Sequence, residues 1–228
     1  MNESKRKKMS SHHIVRDDQE PALIIANGAP CDAELLGQLL EWSPLVIVLD
    51  SAMERVAKLG IKVDVLLGDF DRDFDTEYYK QIQYPIEIVH TPDQEKTDLE
   101  KAFDYLIERK IPAVNVVWAT GKRADHTITN ITNIVQYRNR LKIVILDDHS
   151  KIFLLPNKFE KWYPADTIIS LIPIGNVNGI HSKNLFYPLQ GDSLTIGYRT
   201  GSSNHVVQDG IVTIEHQEGD LLLMECFD

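Results

Sequence analysis

Two cysteines, Cys31 and Cys226, stand near opposite ends of a chain of 228 residues. Neither has a neighbour at metal-ligand spacing, so the sequence supports neither a disulfide framework nor a zinc site, and free thiols in a reducing compartment are expected. No apolar run approaches the roughly 20 residues a membrane-spanning helix needs, and no succession of basic, apolar and small residues marks a signal peptide. These absences are those of a soluble, cytoplasmic protein with no membrane partner. Cations are also short: 24 Lys and Arg against 34 Asp and Glu leave a formal net charge of -10, with a pI near 5.2. Binding a phosphate backbone needs a cationic face, so nucleic acid is not an expected partner. The one basic cluster, Lys5-Arg6-Lys7-Lys8, lies in a polar leader of residues 1–20 that reads as a disordered tail.

What is present is a chain with 43% hydrophobic residues, enough for a substantial core. From Ala22 short β-rich runs alternate with helical patterns, the signature of parallel βα units and an α/β fold class. Strands are expected at Leu23–Ala26, Leu45–Leu49, Val63–Leu67, Ile86–Val89, Val114–Trp118 and Lys142–Leu146, most of them continuously apolar, as strands covered on both faces are. The clearest helix starts at Thr97. Leu99, Phe103, Leu106 and Ile107 form one apolar stripe, and Thr97 with Glu100 makes a capping box. A second helix should follow an N-cap at Asp125, with Ile128, Ile131 and Val135 as its buried stripe. After about residue 150 the pattern changes to short β-prone runs (Thr167–Ile172, Ser193–Ile196, Ile211–Ile214, Leu221–Met224) broken by Gly, Asn, Asp and Pro. That is a second, all-β unit of about 70 residues, a sandwich or a barrel.

In an open parallel sheet ligands bind beyond the carboxyl ends of the strands, so the residues that follow each strand carry the functional reading. The run "LLGDFDRDFD" (66–75) places Asp69 and Asp71 just after a strand and a turn-forming Gly68. Two carboxylates two residues apart repel unless a cation sits between them, and magnesium takes such hard oxygen ligands. An isolated Asp-x-Asp is more often an acidic turn, the reading kept for Asp73 and Asp75, which should cap or solvate the next helix. The run "TPDQEKTDLEKA" (91–102) sets Gln94, Thr97 and Asp98 at a helix N-terminus, where backbone N–H groups favour anionic oxygens. Lys101, taken alone, is more often a solvated charge than a phosphate ligand. The run "TGKRADHTITN" (120–130) supplies Lys122 and Arg123 after a glycine turn, and Arg suits a two-toothed grip on phosphate. Acid for metal, helix ends and Arg for phosphates, and no activated Ser or Cys fit metal-assisted transfer of a phosphate group.

In order and spacing, "GDFDR" (68–72), "QEKTDLEKA" (94–102), "GKRADHTITN" (121–130) and "LFYPLQGDSLTIGYRTGSSN" (185–204) resemble the marks of the thiamine pyrophosphokinase family. The resemblance implies a Rossmann-like parallel-sheet domain over residues 21–150 that binds ATP, then a β-sandwich over 151–228 that binds thiamine and dimerises. It implies a homodimer with active sites at the interface, and a magnesium-dependent reaction in which ATP and thiamine give AMP and thiamine diphosphate. By position, Asp69, Asp71 and Asp98 would bind magnesium and, with Arg123, form the catalytic set. Asn27, Asp50, Thr97, Lys101, Arg123, Asp125 and His126 would surround ATP. Gln94, Tyr187, Ser203 and Asn204 would contact thiamine, Tyr187 by presenting a ring to a cationic heterocycle.

The chain departs from the family pattern at Ser51-Ala52, where two glycines are usual, and at Glu95, Arg72 and Lys122. These changes bear on nucleotide preference and rate more than on reaction class. Two other readings stay open: a magnesium-dependent phosphotransferase or phosphohydrolase with Asp69 as a phosphorylated nucleophile, and a thiamine or nucleotide sensor without turnover. In an enzyme of the haloacid-dehalogenase type, however, the acidic pair would follow the first strand.

Overall fold

The structure is a computed structural model that describes residues 21–70 and 74–227. Six parallel strands open the chain: β1 (Ala22–Ile25), β2 (Val46–Leu49), β3 (Val65–Gly68), β4 (Glu87–His90), β5 (Ala113–Val117) and β6 (Lys142–Leu146). Their order in the sheet is β4-β3-β2-β1-β5-β6. Helices α1 (Ala33–Leu40), α2 (Met53–Lys58), α3 (Thr76–Ile82), α4 (Asp98–Glu108) and α5 (Ala124–Asn133) lie in the connections.

Alternate strand residues feed two cores. Ile24, Leu49, Leu67 and Val116 pack with Leu99, Phe103 and Leu106 of α4, while Ile25, Val48, Leu66 and Val117 pack with Leu36 of α1 and Met53 and Val56 of α2. Both faces of the strands are covered, which is why their sequences are apolar without alternation. Thr97 caps α4 in a reciprocal capping box with Glu100, and Asp75 caps α3 by accepting from the Tyr78 N–H. Asp73, assigned to the same task, lies outside the described residues.

The α5 expectation needs correction. Arg123 occupies the N-cap, Asp125 sits inside the first turn, and none of the helix residues is buried. Ile128 is 63% exposed, Ile131 is half-buried against the core under α4, and the fully buried anchors fall later, at Ile134 and Tyr137 in a short 3₁₀ turn. The expected stripe needs an uninterrupted helical period, and the helix tightens into the 3₁₀ turn at Ile134 before that period is complete.

The parallel sheet does not stop at β6. Strand β7 (Ser150–Leu154) turns back antiparallel to β6, and the ladder continues through β13 (Glu218–Cys226) to β9 (Ile168–Lys183). Strands β8 (Lys158–Tyr163), β10 (Gln190–Thr195), β11 (Gly201–His205) and β12 (Gly210–Glu215) complete the β-rich unit. Three of these strands, β7, β8 and β11, have no counterpart among the sequence expectations. β9 runs 16 residues, far beyond the expected Thr167–Ile172. Its first half pairs with β13 and β11 and its second with β10 and β12. Between the halves Gly175 takes φ +75°, a conformation that lets a strand bend from one sheet into a second. The two sheets enclose a third core that includes Tyr163, Ile169, Leu171, Ile180 and Leu223.

Leu222 and Leu223 are both fully buried, and they point to different cores: Leu222 to the one under α4, Leu223 to the sandwich. Truncating either to Ala is expected to cost about 2–5 kcal/mol. Because β13 serves both units, urea melts of both variants should stay single transitions that shift together by fluorescence and far-UV circular dichroism. Two separated transitions would show that the units unfold independently.

Candidate active site

A cleft of about 630 Å³ lies over the carboxyl ends of β1, β3 and β5, beside the N-termini of α4 and α5. This is where the strand order reverses, β1 leading to β2 on one side and to β5 on the other, and such a point leaves a crevice between diverging loops.

Two glycines let the loops close on one another. A Cβ on Gly28 would come within 2.3 Å of the Thr120 carbonyl, and one on Gly68 within 2.4 Å of the Asp50 carboxylate. Gly28 instead donates its N–H to the Trp118 carbonyl, tying the loop after β1 to the loop after β5. Phe70 and Trp118 both hold positive φ, +47° and +57°, directly beyond β3 and β5. Bulky residues rarely adopt this conformation, and such local strain tends to gather at functional sites.

Asp50 is buried below the cleft, not on its wall. Its carboxylate accepts the N–H of Ser51 at 2.5 Å and of Phe70 at 3.2 Å, so it fixes the turns after β2 and β3. Burial raises its pKa, and the charges of Asp98 and Asp69 add to the rise. Asp69 does line the cleft. It accepts a 3.1 Å hydrogen bond from Gln94 Nε2, which draws its pKa below the usual value. Asp98, at the first turn of α4, takes Lys101 Nζ at 3.1 Å. The Lys101 side chain is only 6% exposed, against the expectation of a solvated charge, and it reaches the cleft wall.

Across the cleft Arg123 grips Asp125 with two hydrogen bonds, from Nε to Oδ1 at 3.1 Å and from Nη2 to Oδ2 at 2.5 Å. Arg123 thereby holds the Asp125 pKa down to about 2. Both groups are exposed, so solvent weakens the pair and the guanidinium can be exchanged to another anion cheaply. His126, Thr97 and Asn27 also line the wall.

Sequence reasoning missed two residues. Arg55 of α2 donates to Asn27 Oδ1 at 2.7 Å and to the Gly28 carbonyl at 3.1 Å, while its guanidinium lies 4.6 Å over the Trp118 ring. It braces the loop after β1. Asn130 donates to the Ala119 carbonyl at 2.8 Å and pins α5 to the loop after β5. Arg55 follows the strand by six residues and carries no local pattern, whereas Asn130 closes a quoted motif and its position was the available signal.

The residues assigned to thiamine divide. Gln94 is on the cleft wall, but Tyr187, Ser203 and Asn204 are not. Asn204 is buried and its amide is spent on the Tyr187 and His205 backbone: Oδ1 accepts both N–H groups at 3.0 Å, and Nδ2 donates to the Tyr187 carbonyl at 2.8 Å. It holds Tyr187 outward, exposed, with the Phe186 ring edge-on at 4.9 Å. Asp71 lies outside the described residues.

Two family models match: "Thiamin pyrophosphokinase, catalytic domain" over residues 36–145 and "Thiamin pyrophosphokinase, vitamin B1 binding domain" over residues 158–221. The chain belongs to the thiamine pyrophosphokinase family. A thiamine pyrophosphokinase of Oryza sativa is 30% identical over 169 residues, 68% of this chain and 63% of that one. One from Caenorhabditis elegans is 24% identical over 220 residues, 88% and 87% of the two chains. Among solved structures, yeast thiamin pyrophosphokinase superposes with a TM-score of 0.79 at 17% identity, covering 93% of this chain and 88% of that one. The Bacillus subtilis enzyme gives 0.75 at 23% identity, covering 91% and 99%. Within this family the α/β unit of the present chain corresponds to the catalytic model, and the cleft is built wholly from it.

Asp50 gives a pH-dependent expectation. A carboxyl whose folded pKa is raised costs stability when ionised, and that cost disappears as pH falls through the folded value toward the ordinary 3.8. In metal-free buffer, the wild type should therefore gain stability relative to Asp50→Asn as pH drops from 7 to 4, read by denaturant midpoints. A constant difference across that range would mean that Asp50 is not strained by its burial.

Proposed function

We infer that this chain transfers the pyrophosphoryl group of ATP to the hydroxyl of thiamine, releasing AMP and thiamine diphosphate. The observation that carries the reading is the cleft at the strand-order reversal, with Asp69, Asp98 and Lys101 on one wall and Lys122, Arg123 and Asp125 on the other, in a chain of this family. The triphosphate would lie between these walls, near the α4 N-terminus, with Lys101 and Arg123 offsetting charge on the moving oxygens. Gln94 would orient thiamine at the acidic side. Asn27, braced by Arg55, together with Thr97 and His126, would bound the nucleotide.

The donor set fits magnesium. Among the described residues no three His, Cys, Asp or Glu side chains gather into a complete metal cage. Magnesium asks for less, because it keeps several waters and takes one or two carboxylates plus phosphate oxygens. Asp69 and Asp98, whose charges both press on Asp50, would hold it, with Asp71 as the further ligand. When bound, the ion would neutralise the phosphates and fix their alignment for in-line displacement.

The placement of the residues read as thiamine contacts supports a homodimer. Tyr187 is exposed and lies off the cleft of its own chain, so it would meet thiamine by facing the cleft of a second copy. The cytoplasm is the compartment this reading favours, in accord with two free cysteines and no helix among the described residues that could cross a membrane.

Incubating the purified chain with magnesium, ATP and thiamine and identifying the products by mass should give AMP and thiamine diphosphate. ADP as the nucleotide product, or release of free phosphate, would overturn the reading, and binding of both substrates without products would favour a sensor. Asp71→Asn and Asp98→Asn should each lower kcat by at least about a hundredfold while leaving the thermal midpoint near that of the wild type. Retained turnover in either variant would remove that carboxylate from the metal site.

A further inference from the structure

A second cleft, of about 560 Å³, opens where β6, β7, β8 and the start of β13 meet, and it shares no wall residue with the first. One side is apolar: the Phe153 and Phe159 rings lie 5.9 Å apart, with Leu155 beside them. The other side is cationic. Lys151 is only 7% exposed, and its ammonium sits 5.6 Å over the Phe153 ring. Among the described residues the Lys151 ammonium makes no ion pair or hydrogen bond. Its neighbour Lys161 does, with Nζ 2.6 Å from Glu225 Oε1.

Glu225, 1% exposed, also takes the Tyr163 hydroxyl at 2.7 Å, so its charge is shared among donors other than Lys151. The attraction of Glu225 for Lys151 does not make up for burial, which brings the Lys151 pKa down to about 8. At the mouth, Arg138 is paired with Asp220. His216 lies in the wall, buried, and neither ring nitrogen makes a well-formed hydrogen bond, although the Leu155 and Pro156 backbones are near.

An ammonium this deeply buried with no contact ion pair or hydrogen bond of its own, its cross-strand partner Glu225 being bonded to Lys161 and Tyr163, is costly, and a chain with net charge -10 does not need one for solubility. Aromatic walls disfavour a hydrated inorganic ion but accept an apolar body, and the surplus of Lys151 over the paired charges repels cations, thiamine among them. We propose that this cleft is a second ligand site, separate from the transfer cleft, for a small organic anion. Its acid group would meet Lys151, and its aromatic or branched apolar body would lie against Phe153 and Phe159. The shared chemistry is one negative group on an apolar frame, whether carboxylate, sulfonate or phosphate monoester.

Anilinonaphthalene sulfonate has that chemistry and reports its own binding by fluorescence. Titrated into the full-length chain with the transfer cleft saturated by ATP, it should bind saturably, one molecule per chain. Lys151→Gln should weaken it about tenfold or more, the effect of losing a charged hydrogen-bond partner. Uncharged phenylnaphthylamine should bind at least about tenfold more weakly than the sulfonate. Asn139→Glu adds a carboxylate at an exposed position on the rim, so it should keep the fold and the transfer activity while weakening the dye several-fold, and it carries the comparison if Lys151→Gln does not fold. The proposal is overturned if no saturable signal appears, if ATP displaces the dye, if the neutral dye binds as tightly, or if the folded variants bind like the wild type.

Discussion

The parallel ladder on both sides of β1 governs the placing of every group at the transfer cleft. β1 pairs with β2 through Leu23 and Val46 and with β5 through Ala22 and Val114, all strands running the same way. Parallel pairing brings the carboxyl ends into one row, and the chain must return to the opposite end by a helix after each strand. The loops at 27–28, 69–70 and 118–123 therefore rise at one edge, although they are far apart in sequence. Gly28 and Gly68 then allow those loops to touch, since a methyl group at either position would collide with a neighbouring backbone oxygen or carboxylate.

On both sides of the reversal in strand order that edge carries charges held by partners of opposite sign. On the β2–β4 side stand Asp50, Asp69 and Asp98 with Lys101; on the β5 side stand Lys122 and Arg123 with Asp125. Asp50 anchors the acidic side from below, holding two turns through its backbone contacts. The basic side is looser: Arg123 is parked on Asp125 in solvent, a holding position for a side chain whose proposed partner is a phosphate. A polyphosphate with its cation complements such mixed walls better than either charge alone would.

Much of the α/β unit was legible because its signals are local. The apolar strands, the Thr97–Glu100 box and the Leu99–Phe103–Leu106 stripe depend on residues close in sequence, and the three acidic and basic motifs fall at strand ends. What escaped depends on distance. Lys101 is buried only because α4 lays it against the cleft, and Arg55 matters only through Asn27, Gly28 and Trp118. Asn204 reads as a ligand in a motif but is consumed by local backbone bonds. In the β-rich unit, β8 alternates exposed and half-covered residues, and β11 is the polar run Gly201–His205, so neither offers the apolar run by which the other strands were recognised.

The course of β13 has a meaning for how the two halves of the chain relate. It lies between β7 and β9, hydrogen-bonded to both, and its adjacent leucines enter different cores. Among the described residues no flexible tether separates the α/β half from the β-rich half, because β13 is part of the wall between them. Neither half can be exchanged as a cassette without unravelling a shared seam. Any insertion or deletion that shifts β13 by one residue would turn Leu222 and Leu223 toward each other's cores, so the C-terminal strand sets the register of the whole molecule.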